Sequence, residues 1–240
     1  MKIMMSKSIK YAFLCVSIAL LISMGLAAHA VKVFRVSQYN GGHQIWFEVE
    51  AFDERDPGSE KDKNKGYQLG SATNVKAPKG ISGDGIVVVR GDDTIWLRYD
   101  FDISKAGGKK GTWYLWAKML NPTNRSDWLW VLGDDGKKIP KVKPAFVVAD
   151  DRVFEASPAT LSWASRKTEG DVKELRDGEN TMMVWWRETD TTRFLDILVW
   201  SDKQEYTPTD DDYKNAAERV QPVEPIGKLA TVWDRMKSAR

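Results

Sequence analysis

Beyond residue 44, hydrophobic residues recur at every second position along most of the chain. The clearest segment is 94–103, in which Ile95, Leu97, Tyr99 and Phe101 alternate with Trp96, Arg98, Asp100 and Asp102. A period of two is typical of β-strands, because successive side chains point to opposite faces of a sheet. Similar segments lie at 44–52, 85–90, 112–120, 127–132, 181–188 and 192–201, between turns rich in Gly, Asp, Lys and Pro. Many short strands joined by such turns predict an all-β antiparallel sandwich.

The first thirty residues have a different pattern. Three lysines precede an apolar run from Tyr11 to Ala28, and Ala28-His29-Ala30 offers the small residues that signal peptidase recognises. We therefore expect residues 1–30 to be a signal peptide, and the mature protein to be secreted, periplasmic or at the cell surface without stable membrane insertion. The alternative is an uncleaved anchor, because the apolar run is nearly long enough to span a bilayer.

The period of two ends after Ser201. Residues 31–206 are predicted to form the sandwich, and residues 207–240 a C-terminal tail with a linker and short helices. Pro208–Asp212 can begin a short helix, and Val220–Gly227 contains two prolines, as linkers often do. Near the end of the sequence, hydrophobic residues recur at the spacing of one helix face, at Leu229, Val232, Trp233 and Met236. This last segment is predicted to pack back on the sandwich as a helix, to be a frayed tail, or to dock onto a protein partner or an envelope surface.

Composition narrows the chemistry. The chain has 11 Trp but only 1 Cys and 2 His, and removing residues 1–30 leaves His43 as the sole histidine and no thiol. This excludes disulfides, thiolate metal sites and cysteine nucleophiles from the exported protein. The first thirty residues hold three of the 36 basic residues and none of the 34 acidic ones, so the mature chain is nearly neutral. A neutral chain argues against a nucleic-acid partner.

Three carboxylates suggest a cation site. Glu48 and Glu50 are two residues apart on one strand, so their side chains leave the same face. Asp196 lies in a strand that is apolar on both faces, where a carboxylate without a partner is costly. Its partner could be an arginine or a calcium ion shared with Glu48 and Glu50. The candidate arginines are Arg90, Arg98 and Arg193.

Short motifs over about residues 44–202 resemble, in the same order, those of carbohydrate-binding module families six and thirty-five. The motifs lie at 48–52, 82–85, 93–99, 106–114, 175–181 and 194–198. The resemblance implies a galactose-binding-type jelly roll with a structural calcium between its first and last strands. It also implies that Glu48, Glu50 and Asp196 are the side-chain ligands of that ion.

Two regions are candidate sugar sites. The resemblance implies a site at the loops, with Trp163 in the position of a family tryptophan and Tyr67 as the early aromatic. The family asparagine is missing, because Asp190–Arg193 occupies its region. The residues themselves suggest a second region: Tyr114 and Trp116 would form an aromatic platform if their sheet face is open, because sugar C–H faces pack on aromatic rings. The alternative is that loops cover this face.

The leading hypothesis is non-catalytic binding of a polysaccharide or other glycan on a calcium-stabilised sandwich. One alternative is a protein-interaction or structural module of the same fold. Another is a polysaccharide hydrolase or lyase that uses Glu48 with Glu50, or Asp150 with Asp151. Neighbouring acids of one strand or loop do not flank a sugar bond as glycosidase carboxylates do, which disfavours the enzyme.

Overall fold

The structure is a computed structural model that describes residues 31–62, 64–73, 75–89, 94–122, 126–132, 152–155, 158–165, 169–187 and 193–222. The predicted signal peptide and residues 223–240 of the predicted tail lie outside the described residues, as do Arg90, Asp150 and Asp151. Val33–Val220 form one compact unit. No helix within the described ranges has the length and hydropathy needed to cross a membrane.

The described residues form fourteen strands and two short α-helices. In chain order these are β1 (Val31–Tyr39), β2 (Gly42–Glu48), β3 (Glu54–Arg55), α1 (Pro57–Lys61), β4 (Tyr67–Leu69), β5 (Ile86–Val88), β6 (Trp96–Asp102), β7 (Gly111–Leu120), β8 (Asp127–Leu132), β9 (Arg152–Val153), β10 (Ser162–Ala164), β11 (Val172–Leu175), β12 (Glu179–Trp185), β13 (Arg193–Ser201), α2 (Asp210–Asn215) and β14 (Ala217–Pro222). The prediction of a mainly β chain is therefore confirmed.

The strands build two sheets that pack face to face. The larger sheet has the order β10-β7-β13-β2-β1-β14, with β11 also paired to β7, and with β5 joining β4 to β13. The smaller sheet has the order β3-β6-β12-β8-β9. Side chains from both sheets meet in one core, where the ring of Phe101 lies 5.3 Å from that of Phe47 and 6.4 Å from that of Trp200. The predicted β-sandwich is confirmed.

The alternation in the sequence explains which side chains reach the core. In β6, Leu97, Tyr99 and Phe101 are buried in the core cluster, whereas Arg98 and Asp100 on the opposite face are only partly buried. In β13 every residue is buried, because the strand lies between β7 and β2 and is covered on both faces. This position accounts for the continuous apolar run around Asp196.

The face of the larger sheet that points away from the core is covered by the chain that follows β13. Thr209 caps α2, because its hydroxyl accepts the N–H of Asp212 and the Asp212 carboxylate accepts the N–H of Thr209. The chain from Tyr206 to Ala216 then packs on aromatic residues of β2 and β7. We call this group the outer cluster: Trp46, Trp116, Ile197, Val199, Tyr206, Tyr213 and Ala216, with Trp163 packed against them.

Candidate functional site

The three predicted metal ligands converge on one turn, which connects β4 to β5. The N–H of Asp84 donates to Glu50 Oε1 at 2.7 Å, and the N–H of Ser82 donates to Asp196 Oδ1 at 2.7 Å. The intervening residue is Gly83, with φ +58°, and a Cβ there would clash with Glu50 Oε1 and lie 3.3 Å from Glu48 Oε2. We call Glu48, Glu50 and Asp196 the carboxylate cluster.

The cation beside Asp196 in this structure is a lysine. Lys118 projects from β7, and its Nζ lies 3.3 Å from Asp196 Oδ2 and 3.2 Å from Asp210 Oδ1. The same ammonium donates to the carbonyl of Gly80 at 2.8 Å, so Lys118 joins the β4–β5 turn, β13 and α2. Lys118 is 5% exposed and Asp196 is fully buried.

The arginines proposed as partners of Asp196 have other partners. Arg98 pairs with Asp100 and Glu54 on the smaller sheet. Arg193 pairs with the buried Asp127, with Nη2 2.7 Å from Oδ1. The expectation that Arg98 or Arg193 pairs with Asp196 is therefore wrong. The basic partner of Asp196 is Lys118. The alternation along β7 puts Lys118 on the same face as Tyr114 and Trp116, but no local pattern indicates that this face also receives Asp196.

Burial raises the pKa of two members of the cluster, Asp196 and Glu50. It raises the pKa of Asp196 to about 6, although the Ser82 N–H and the Lys118 ammonium oppose this shift. Burial also raises the pKa of Glu50, and the neighbouring Glu48 carboxylate adds to the shift. Glu48 itself accepts a hydrogen bond from the Tyr213 hydroxyl at 2.6 Å. The ionised carboxylates of Asp196 and Glu50 are therefore only partly stabilised by the hydrogen-bond donors and positive charge around them.

The donor chemistry of the cluster fits calcium, which binds several carboxylate and carbonyl oxygens. Glu50 Oε2 is buried and has no hydrogen-bond partner among the described residues. In the same part of the chain, no group of three or more Asp, Glu, His or Cys side chains is arranged to hold a metal ion. The residues therefore match calcium in donor type, but their side chains are not arranged around one ion here, and Lys118 supplies the positive charge in this arrangement.

The predicted aromatic platform is covered. Trp116 is 6% exposed and belongs to the outer cluster beneath the segment 206–216. Tyr114, two residues earlier on the same strand face, is half-buried. For Trp116, the structure therefore agrees with the alternative in which this face is covered. The residues that cover it belong to the segment after β13.

The two predicted loop aromatics differ in exposure. Tyr67 is fully buried in the core, with its ring 6.2 Å from that of Trp186. Its predicted role is corrected, since a fully buried ring has no face on which a sugar could stack. Trp163 is half-buried, lies edge-on to Trp46 at 5.6 Å, and donates from Nε1 to Asp210 Oδ1 at 2.9 Å. The structure does not bring Trp163 and Tyr67 together in one hydrophobic cluster.

His43 is hydrogen-bonded to the Asp202 carboxylate. Its Nδ1 lies 2.8 Å from Asp202 Oδ2, and its backbone N–H donates to Asp202 Oδ1 at 2.7 Å. These contacts tie the start of β2 to the residue that follows β13.

A row of tryptophans crosses the outer face of the smaller sheet. Trp185 in β12 lies directly opposite Trp96 in β6 and Trp128 in β8. We call these three residues the tryptophan row. Met183 lies next to the row on the same face, with Trp130 opposite it in β8. Trp185 and Met183 are fully buried and Trp96 is 8% exposed, whereas Trp128 and Trp130 are half-buried.

Polar groups border the tryptophan row. On the β6 side, Arg98 binds Asp100, with Nη2 2.5 Å from Oδ2, and Thr181 Oγ1 donates to Asp100 Oδ1. On the β8 side, the Arg187 guanidinium lies 5.2 Å from the centroid of the Trp128 ring. Sequence reasoning did not select this row. Its signal is tryptophan at polar-face positions of three alternating segments, but β12 and β8 become neighbours only through the sheet topology.

No protein-family model matches the chain, and no curated protein does. Among solved structures, the chain is similar to a family 35 carbohydrate-binding module from Clostridium thermocellum, with 15% identity over 56% of this chain and 95% of that chain, and a TM-score of 0.35. It is also similar to the family 35 module of Abf62 from Cellvibrio japonicus, with 13% identity, 71% and 92% coverage, and a TM-score of 0.36.

A third similar structure is a Podospora anserina β-(1,4)-mannanase that carries a family 35 module, with 12% identity and a TM-score of 0.41. This match covers 65% of the present chain but only 27% of the mannanase. Family thirty-five is one of the two families that the sequence motifs resemble. All three TM-scores are below 0.5, so the similarity carries no conclusion about ligand or activity.

Proposed function

We propose that the protein is exported and binds carbohydrate without catalysing a reaction on it, through the rings of Trp128 and Trp130. The observation that carries the proposal is that these two rings are half-buried and lie two residues apart on the outer face of β8, beside the buried Trp96 and Trp185. Alternate residues of a strand lie about 7 Å apart, so the two rings form one aromatic surface.

The chemistry of the face supports a sugar ligand. Aromatic rings offer apolar faces to the C–H groups of a pyranose, while hydroxyls need polar partners at the edge. The half-buried rings of Trp128 and Trp130 provide the stacking surface. The Asp100 carboxylate and the guanidinium groups of Arg98 and Arg187 are polar groups that border this face.

A non-catalytic role is supported by the position of the acids. Glu48, Glu50 and Asp196 bind backbone N–H groups, a tyrosine hydroxyl or Lys118 around one turn. Glycosidase carboxylates instead stand on opposite sides of a bound sugar, about 5–10 Å apart. Product formation from any polysaccharide would contradict the proposal.

We also propose that a structural calcium ion binds among Glu48, Glu50 and Asp196. Support comes from the convergence of the three carboxylates on the β4–β5 turn and from the buried, unpartnered Glu50 Oε2 of the described structure. The ion would neutralise buried negative charge beyond what Lys118 alone provides. Its contribution would be to stability and to the position of this turn.

Export is proposed from the lysine-rich, apolar N-terminus and the Ala28-His29-Ala30 site. Sequencing the N-terminus of the protein recovered from its producing cells tests this directly. A mature chain that begins at Val31 supports export and cleavage. A chain that retains residues 1–30 in the membrane fraction would instead support the anchor alternative.

Affinity electrophoresis of residues 31–240 in gels with plant, algal and microbial polysaccharides tests the binding proposal. Retardation by at least one polymer is expected, and Trp130→Ala should weaken it about tenfold or more, because central aromatic residues commonly contribute over 1 kcal/mol to binding. Trp163→Ala is the matched control on the larger sheet. Retardation lost in Trp163→Ala but kept in Trp130→Ala would refute the proposed aromatic surface. No retardation by any polymer would favour the interaction-module alternative.

A further inference from the structure

A second candidate site lies on the other sheet, where the end of β1 meets α2. A cleft of about 330 Å³ is lined there by Tyr39, Tyr206, Gln38, Asp212 and Asn215, among others. Tyr39 is 39% exposed, and no other large hydrophobic side chain among the described residues is exposed to this extent. Its ring centroid lies 5.2 Å from that of Tyr206, at an angle of 52°. The cleft therefore has an aromatic wall with an accessible face.

Several polar groups at this cleft have no partner in the described part of the chain. The side chains of Gln38 and Asn215 and the hydroxyl of Tyr39 make no hydrogen bond there. Asp212 uses only Oδ2, which accepts from the Thr209 N–H at 2.9 Å and the Tyr206 hydroxyl at 3.3 Å. Two amides, a hydroxyl and a carboxylate oxygen thus remain available as donors and acceptors.

The floor of the cleft is fixed by a chain of hydrogen bonds. Trp46 Nε1 donates to Ser37 Oγ at 2.9 Å, and Ser37 Oγ donates to Gln44 Oε1 at 3.1 Å. Gln44 Nε2 in turn donates to Ser201 Oγ at 3.2 Å. These bonds hold β1, β2 and β13 in place beneath the cleft. A ligand would therefore meet a preformed surface and would pay little to order it.

We propose that this cleft is a second sugar-binding site, which takes a single neutral sugar unit. The ring of Tyr39 would pack on one sugar face, and the Gln38 and Asn215 amides with Asp212 Oδ1 would bind hydroxyls. The cleft is lined by no basic side chain within the described ranges, and it contains the Asp212 carboxylate. Neutral sugars are therefore favoured over uronic acids, which would meet a like charge.

Calorimetric titration of residues 31–240 with glucose, galactose, mannose, xylose and glucuronate tests this site. At least one neutral sugar should bind, and Tyr39→Ala and Asn215→Ala should each weaken its affinity several-fold, up to about tenfold for Tyr39→Ala. Glucuronate should bind at least several-fold more weakly than glucose. Asn64→Ala removes an exposed amide from the loop after α1 and serves as the control for Asn215→Ala.

Two results would overturn the site: no binding of any of the four neutral sugars, or unchanged affinity in Tyr39→Ala. Glucuronate binding as tight as that of glucose would overturn the assignment to neutral sugars. Tyr39 is exposed, so Tyr39→Ala is expected to fold, and its circular dichroism spectrum checks this. The two proposed binding surfaces can be refuted independently of each other. The monosaccharide titration tests Tyr39, and the polysaccharide gel tests Trp130.

Discussion

Removing calcium is the perturbation that distinguishes the two cations available to the carboxylate cluster. If calcium binds there, the protein should unfold at a lower temperature in chelator than in calcium. At free calcium a hundred times its Kd, binding stabilises the folded state by about 2.7 kcal/mol. For a domain of this size, that free energy corresponds to a Tm higher by roughly 5–10 °C.

The structure shows why a second cation would stabilise the fold. Asp196 is fully buried, and its pKa stands at about 6 instead of the ordinary 3.8 even with Lys118 beside it. Each unit of pKa corresponds to about 1.4 kcal/mol, so keeping Asp196 ionised at neutral pH costs on the order of 3 kcal/mol. This cost is comparable to the gain expected from calcium. Lys118 therefore leaves a deficit that an added ion can offset.

The assay is thermal unfolding, followed by circular dichroism or calorimetry, in calcium and in chelator. Asp196→Asn should abolish the difference between the two conditions, because it removes one carboxylate of the cluster. Asp210→Asn is the matched control, since Asp210 also contacts Lys118 but is largely exposed and lies outside the cluster. Equal Tm values for the unmodified protein in calcium and chelator would refute the reasoning, and Lys118 would then be the only cation of the site.

Three further predictions concern stability. In chelator, the raised pKa of Asp196 means that the contribution of this residue to stability is greatest below about pH 4 and falls by about 3 kcal/mol as the pH rises through 6; the difference in urea unfolding between the unmodified protein and Asp196→Asn should show this slope, and a pH-independent difference would contradict it. Gly83→Ala should cost at least about 1 kcal/mol more than Gly80→Ala, because both residues have positive φ but only a Cβ at Gly83 meets a cluster carboxylate; equal losses would contradict this. Arg193→Met should lower the free energy of unfolding by about 3–5 kcal/mol, because it leaves the buried Asp127 unpaired, and adding Asp127→Leu should recover much of it; no recovery would argue against the pair.

The sandwich could be predicted because it depends on a local signal. In β6 the alternation alone assigned Leu97, Tyr99 and Phe101 to one face, and these are the residues buried in the core. Asp196 was recognised as unusual for a similar reason, since it interrupts an apolar strand. That Asp196 lies near Glu48 and Glu50 was one alternative offered by the residues and was implied by the motif resemblance. The turn at Gly83 on which they converge is shown only by the structure.

Features that depend on distant segments could not be predicted from the pattern. Alternation correctly placed Tyr114, Trp116 and Lys118 on one face of β7. It could not show that the segment 206–216, some ninety residues later, covers Trp116 and brings Asp210 to Lys118. Tyr67 lies in a strand of only three residues, where period two gives too little information to separate a core ring from an exposed one.

The segment 206–216 links features that the sequence presented as separate. Tyr213 donates to Glu48 of the carboxylate cluster, and Asp210 contacts both Lys118 and the Trp163 side chain. Tyr206 and Asp212 from the same segment line the cleft at Tyr39. Because one short segment contributes to both sites, a shift of this segment on calcium binding would alter the cleft. Any factor by which calcium then changes the sugar affinity of the cleft must equal the factor by which the sugar changes the calcium affinity.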